Sequence, residues 1–137
     1  MASGEWRVAS ETERPTPAVR SYRDLRVWRL TLDWVEAIYR LTEDRPRDER
    51  FGLTSQTRRA AVSVAANIAE GAARRTTGEL LQFIGIARGS LAETETLLIL
   101  AERLGYLAEP SLRELTGGSE EINRMLAGLT FKLKARQ

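Results

Sequence analysis

Residues 52–71 read GLTSQTRRAAVSVAANIAEG, and five polar residues in this stretch recur at a spacing that could do chemistry. Gln56, Arg59, Ser63, Asn67 and Glu70 follow one another every three or four positions. On a helix they form one stripe about three turns long. Ala60, Ala61, Ala65, Ala66 and Ala69 lie around and beside it. Such small residues let a second helix approach closely and dehydrate the stripe. An unpaired buried polar group costs about 1–3 kcal/mol, so the stripe calls for partners. Ser90, Glu93 and Glu95 supply candidates further along the chain. Arg59 with Glu93, and Asn67 with Ser90, are the expected meetings. Pairing of this kind fixes register and orientation more than it adds net stability.

Three roles are open to this constellation. It can be a structural network within or between protomers, a contact for nucleic acid or another partner, or a carboxylate active site. Glu70, Glu93 and Glu95 invite the last as paired carboxylates. The chain has no His and no Cys. That excludes the usual zinc sites, thiol nucleophiles, Ser-His-Asp triads and imidazole acid–base chemistry. A di-metal bundle would want Glu-x-x-His motifs, which cannot exist here. With Arg59 close by, ion pairing explains these carboxylates more simply than catalysis. The reading is non-enzymatic, with no catalytic residue, no metal site and no cofactor.

The arginines offer different chemistry. The formal net charge is +2, unevenly spread: residues 20–75 hold 12 Arg against 8 Asp and Glu, a local +4. The planar guanidinium fork suits phosphate because it can donate two hydrogen bonds at once. Arg23, Arg26 and Arg29 follow a drifting strip of the first helix, and Arg58, Arg74 and Arg75 lie on or just past the second. These six are the candidate nucleic-acid contacts. Arg45, Arg47 and Arg50 crowd a linker, where Asp48 and Glu49 offset part of their charge. A solvated, salt-bridged helical surface accounts for the same composition. Trp28 and Trp34 could stack on bases, but both sit in apolar rows that favour packing.

Four helices must position these groups. Leu25, Trp28, Leu32, Val35 and Tyr39 repeat at 3-4-3-4 spacing, the expected seam of the first, and Val27, Trp34, Ile38 and Leu41 make a second apolar row. Ser21 and Asp24 suggest a weak capping box, and the helix should stop near Thr42, ahead of Pro46. The second helix runs from about Leu53 to Ala69 or a little beyond, with Gly71 as a natural stop. Thr76 and Glu79 form a capping box for the third, whose face is Leu80, Ile84, Ala87, Leu91, Thr94, Leu98 and Ala101, with Gly105 ending it. Gly85 and Gly89 within it suggest close packing. Ser111 and Glu114 cap the fourth helix, marked by Leu115, Ile122, Leu126, Leu129 and Leu133, with a kink or break expected at Gly117-Gly118. No stretch alternates with period two. The simplest fold is all-α, an antiparallel up-down four-helix bundle over residues 21–137, preceded by a disordered tail at residues 1–20.

The chain has 137 residues, enough for a real core. No apolar run approaches the ~20 residues that cross a bilayer, and the first residues, MASGEWRVASETERP, lack a secretion signal's apolar core. The expected compartment is the cytoplasm, with no membrane partner.

Beyond the stripe, the segment GLTSQTRRAAVSVAANIAEG resembles bacterial four-helix-bundle proteins encoded in intervening sequences of 23S ribosomal RNA genes. That superfamily includes the accessory variability determinant of diversity-generating retroelements. YRDLRVWRLTLDWVEAIYRLT resembles the family's first helix, RPRDERFGL its Pro-x-x-Glu-x-x-Gly-Leu linker, IARGSLAETETLL its third-helix element and GYL its helix end. The resemblance spans residues 22–133. It implies a closed homopentamer arranged as a barrel, in which five copies of +2 give a formal +10. Repeating a patch around a ring raises phosphate affinity and its salt dependence. For the retroelement accessory protein it also implies binding to RNA or DNA and to a reverse transcriptase, a partner expected only where the chain is encoded in such an element. The expected role is a self-assembling, nucleic-acid-binding accessory or scaffold. The alternative is an assembly module that binds only protein.

Overall fold

The computed structural model describes Tyr22, residues 25–43 and residues 52–136. Four helices appear in it: α1 Arg26–Leu41, α2 Leu53–Ala72, α3 Thr77–Arg103 and α4 Glu109–Arg136. No strand occurs among the described residues. Each helix packs against two others, in the cyclic order α1, α2, α3, α4, and diagonal pairs make no close backbone approach. The short turns after α2 and α3 reverse the chain. Contacts across the seams agree with antiparallel register: Ser63 meets Ser90 and Gly71 meets Phe83, so one number rises as the other falls.

The core is a single cluster drawn from all four helices, including Ile38, Val64, Ile68, Ile84, Leu98, Leu115, Ile122 and Leu126. Burying each such side chain is worth about 1.5–3 kcal/mol. The inward face of α3 is Leu80, Ile84, Ala87, Leu91, Thr94, Leu98 and Ala101, the row expected from periodicity. On α1 the outcome differs. Its buried residues are Val27, Thr31, Trp34, Val35 and Ile38, whereas Leu32 is 42% and Tyr39 40% exposed. The 25-28-32-35-39 row is therefore split: Val35 joins the core, Leu25 and Trp28 pack at its edge, and Leu32 and Tyr39 stay outside, while Val27, Trp34 and Ile38 of the second row are buried. Thr31 hid that stripe in the sequence. Its hydroxyl donates to the Val27 carbonyl at 2.7 Å, so a polar residue sits in the core at little cost. Thr42, Thr57 and Thr94 are buried in the same way, each bonded to the carbonyl four residues earlier.

The helix ends show which local signals hold. Thr76 caps α3: its hydroxyl accepts from the Glu79 N–H at 3.1 Å and donates to Glu79 Oε1 at 3.0 Å. At the far end Gly105 adopts φ 82°. Its N–H donates to Glu102 O, and that of Tyr106 to Ala101 O, the paired closure that a left-handed residue permits. Three expectations need correction. Gly71 does not stop α2; it lies inside the helix, where an added Cβ would sit 2.7 Å from Phe83 Cβ. Gly117-Gly118 does not break α4, which runs unbroken through both. And α4 starts at Glu109, before Ser111, with Pro110 in the first turn, where a missing N–H costs nothing. The expected Ser21–Asp24 cap, Pro46 and the tail lie outside the described residues.

Candidate functional site

The five stripe residues of α2 stay on one side, as their spacing requires, but they are not buried together. Ser63 and Asn67 are half-buried on the α3 side, while Gln56, Arg59 and Glu70 are exposed. The half-buried pair forms a compact polar junction. Ser63 Oγ and Ser90 Oγ lie 2.9 Å apart across the seam. Asn67 Nδ2 donates to the Ser63 carbonyl at 2.8 Å and to Ser63 Oγ at 3.0 Å. Asn67 thus reaches α3 through Ser63 rather than meeting Ser90 itself. The junction can sit there because Ala60 and Gly71 are the buried α2 residues on that side, and neither has the bulk to hold the helices apart. Glu70 turns along its own helix to Arg74, at 2.7 Å.

Arg59 and Glu93 do not pair. Both are exposed, and neither forms an ion pair among the described residues. The reason is register. Arg59 lies one helical turn before Ser63, on the outward side of the stripe, so its long side chain keeps its charge in water at no desolvation cost. Glu95 faces α4 instead and accepts a hydrogen bond from Ser119 Oγ. The candidate carboxylates therefore separate: Glu70 is bound to Arg74, Glu95 to Ser119, and Glu93 stands in solvent. No group of three His, Cys, Asp or Glu residues able to hold a metal ion occurs among the described residues. Gly85 and Gly89, expected at a close approach, are exposed, and a Cβ on either would meet nothing within 4 Å.

The candidate nucleic-acid residues differ in their settings. Arg58 is a clamp between α2 and the end of α1. Its Nε donates to Thr42 Oγ1 at 3.0 Å, its Nη2 to the Tyr39 carbonyl at 3.1 Å, and its guanidinium lies 4.5 Å from the Tyr39 ring centroid. Arg74 pairs with Glu70 and stacks 4.7 Å from the Phe83 centroid. Arg75 is exposed in the α2–α3 turn, and Arg26 and Arg29 are exposed at the start of α1. Arg23, like Arg45, Arg47 and Arg50, lies outside the described residues. Of the tryptophans, Trp34 is a core residue whose indole N–H donates to the Leu115 carbonyl at 2.9 Å. Trp28 is half-buried with its ring edge-on to Tyr22, centroids 4.9 Å apart.

Two features escaped the sequence reading. One is the apolar surface between α1 and α2, where Leu32, Tyr39 and Val62 are all at least 40% exposed. Leu32 and Tyr39, two members of the 3-4 row on α1, were its signal. The other is the basic second half of α4, where Arg124, Lys132, Lys134 and Arg136 occur without an acid between residues 122 and 136. In the overall charge it is offset by seven glutamates at residues 93–121.

No helix among the described residues is long and apolar enough to cross a membrane. The family model described as 23S rRNA-intervening sequence protein matches residues 23–128. Among solved structures, a protein of unknown function from the S23 ribosomal protein family of Bacteroides thetaiotaomicron VPI-5482 is similar with TM-score 0.71. It is 25% identical, and the match covers 76% of this chain and 94% of that one. No curated protein matches the chain. With the four-helix architecture and most of its length within the match, the chain belongs to the 23S rRNA-intervening sequence protein family.

Proposed function

We propose that this protein is a non-catalytic, self-assembling helical scaffold, and that copies of the chain meet through the α1–α2 face. The observation that carries the reading is the exposed apolar strip of Leu32, Tyr39 and Val62, each left at least 40% accessible beside a complete core. Isolated exposed apolar residues are ordinary; neighbours on adjoining flanks of two packed helices mark an interaction surface. Ala66, exposed on the same helix, and Ala73, exposed just past its end, add small side chains that allow close docking. A second copy of this chain is the occupant proposed, in keeping with the closed pentamer that the family resemblance implies. Light scattering on Leu32→Glu and Val62→Glu tests it. The expected result is a fall in mass with helical content retained, and an unchanged mass removes the reading.

A second reading, contact with a nucleic-acid backbone, is favoured by the exposure of Arg26, Arg29 and Arg75. Assembly would multiply these cations around a symmetry axis. Arg58 and Arg74 belong to packing first and contribute less to such a surface. The enzymatic reading gains no support from the separated carboxylates.

A further inference from the structure

The outer side of α4 carries chemistry that none of the described residues uses. Leu115, Ser119, Ile122, Leu126 and Leu133 turn inward, while Arg124, Phe131 and Lys134, spaced seven and three apart, share the opposite side. Phe131 is 76% exposed, well above the other exposed large apolar side chains among the described residues. Its helical neighbours on that side are Ala127, Gly128 and Ala135, and a Cβ built on Gly128 meets nothing within 4 Å. The ring therefore stands free on a low surface between two cations that a helix sets about 15 Å apart. Lys132 and Arg136 flank it near the helix end. All four cations are exposed, and none forms an ion pair among the described residues.

The bundle is also polarised along its length. Residues 93–121 hold seven Glu against Arg103 and Arg113, whereas residues 122–136 hold four cations and no acid. Arg88 Nε donates to Asn123 Oδ1, so the antiparallel register places the basic half of α4 beside the first half of α3. Arg74 and Arg75, in the turn that leads into α3, share that end of the bundle. Among the described residues, a polyanion meets a positive end that carries the exposed ring of Phe131.

We infer that this face of α4 binds single-stranded or looped nucleic acid, with Phe131 stacking on an unpaired base while Arg124, Lys132, Lys134 and Arg136 hold the flanking phosphates. The proposal rests on the nucleic-acid reading above and adds the form of the ligand and the residues that meet it. A free ring amid cations suits single strands, because every unpaired base offers a π-face and stacking needs no sequence. In a duplex those faces are hidden inside the stack. A bilayer surface is the poorer fit: an interfacial helix needs a continuous apolar face, and the apolar face of α4 is spent in the core.

The test is fluorescence anisotropy of the full chain with a mixed-sequence single-stranded oligonucleotide and with a blunt duplex, at low and moderate salt. Flotation with phosphatidylserine vesicles, circular dichroism and light scattering accompany it. Phe131→Ala should weaken single-strand binding about ten-fold and leave duplex binding unchanged, with Phe131→Trp restoring it. K132Q/K134Q should weaken both and flatten the salt dependence. The slope should fall by about 0.9 on duplex, and about 0.7 on single strands, for each phosphate that is no longer neutralised. Equal single-strand affinity in wild type and Phe131→Ala overturns the stacking site while leaving the nucleic-acid reading intact. No wild-type binding at low salt removes both. Binding to vesicles alone overturns the proposal in favour of a membrane, and a mass change in Phe131→Ala with unaltered oligonucleotide affinity assigns the ring to assembly.

Discussion

Along α2 and α3 the helices meet through small residues, whereas α4 meets α1 around one large ring. At the first seam Gly71 lies against Phe83 and Leu80, and the Ser63–Ser90 contact sits where a larger side chain would hold the helices apart. At the second, Trp34 is 5% exposed and lies over Gly118, where a Cβ would stand 2.7 Å from its Cδ1. Its indole N–H is fixed to the Leu115 carbonyl one turn earlier. Both seams use a glycine inside a helix, a placement that costs about 1 kcal/mol relative to alanine. The local loss is offset differently in each. Gly71 admits the Cβ of a neighbouring helical residue, and Gly118 admits the flat face of an aromatic. A helix-interior glycine is thus informative through what lies opposite it, and its own sequence neighbourhood does not say what that is.

The sharpest break in this comparison is Trp34→Ala. It removes the filler of the α1–α4 seam and should destabilise the protein by about 3–5 kcal/mol in chemical denaturation. A loss below about 1 kcal/mol would show that the ring is dispensable there. Next comes the pair of glycines. Gly118→Ala and Gly71→Ala should each cost about 1–3 kcal/mol through overpacking, less about 1 kcal/mol returned by alanine's helix propensity. Gly117→Ala and Gly85→Ala, with nothing within 4 Å of the added Cβ, should be neutral or stabilising. If all four behave alike, the close approaches are not what distinguishes them.

Smaller effects sharpen the polar side of the comparison. Ser63→Ala leaves Ser90 and Asn67 short of one partner each and should cost about 1 kcal/mol. A double-mutant cycle with Ser90→Ala should return a coupling of about 0.5 kcal/mol or more, and additivity would mean that the hydroxyls do not cooperate. Arg59→Ala should shift stability by less than about 0.5 kcal/mol, because the exposed guanidinium pairs with no described acid. A fall in assembly mass for this variant would instead place Arg59 at a contact between copies.

Much of this fold was legible because the helical period needs only the order of residues. The α3 face matched residue for residue, since its seven inward positions are small or apolar, with the single polar member, Thr94, bonded to its own helix. The Thr76 cap and the Gly105 end depend on interactions spanning four or five residues, within reach of sequence reading. On α1 both apolar rows contribute to packing, but only the neighbouring helices decide which members go inside: Trp34 turns to Leu115, and Leu32 is left in solvent. The polar stripe was seen as a set, but its pairing was not. Helix register of a few ångströms separates Ser63, which meets α3, from Arg59, which does not.

What the sequence determined by itself is therefore local and periodic: four helices, the two ends of α3, most of the inward faces and the family to which the chain belongs. The tertiary structure alone decided which glycines are contacts, which arginines are already held, and which apolar residues stay outside. Those outcomes depend on atoms brought together from distant positions in the chain, such as Arg58 with Tyr39 and Trp34 with Gly118. Periodicity tells a residue which side of its own helix it occupies. What stands opposite is set by the packing of the other three.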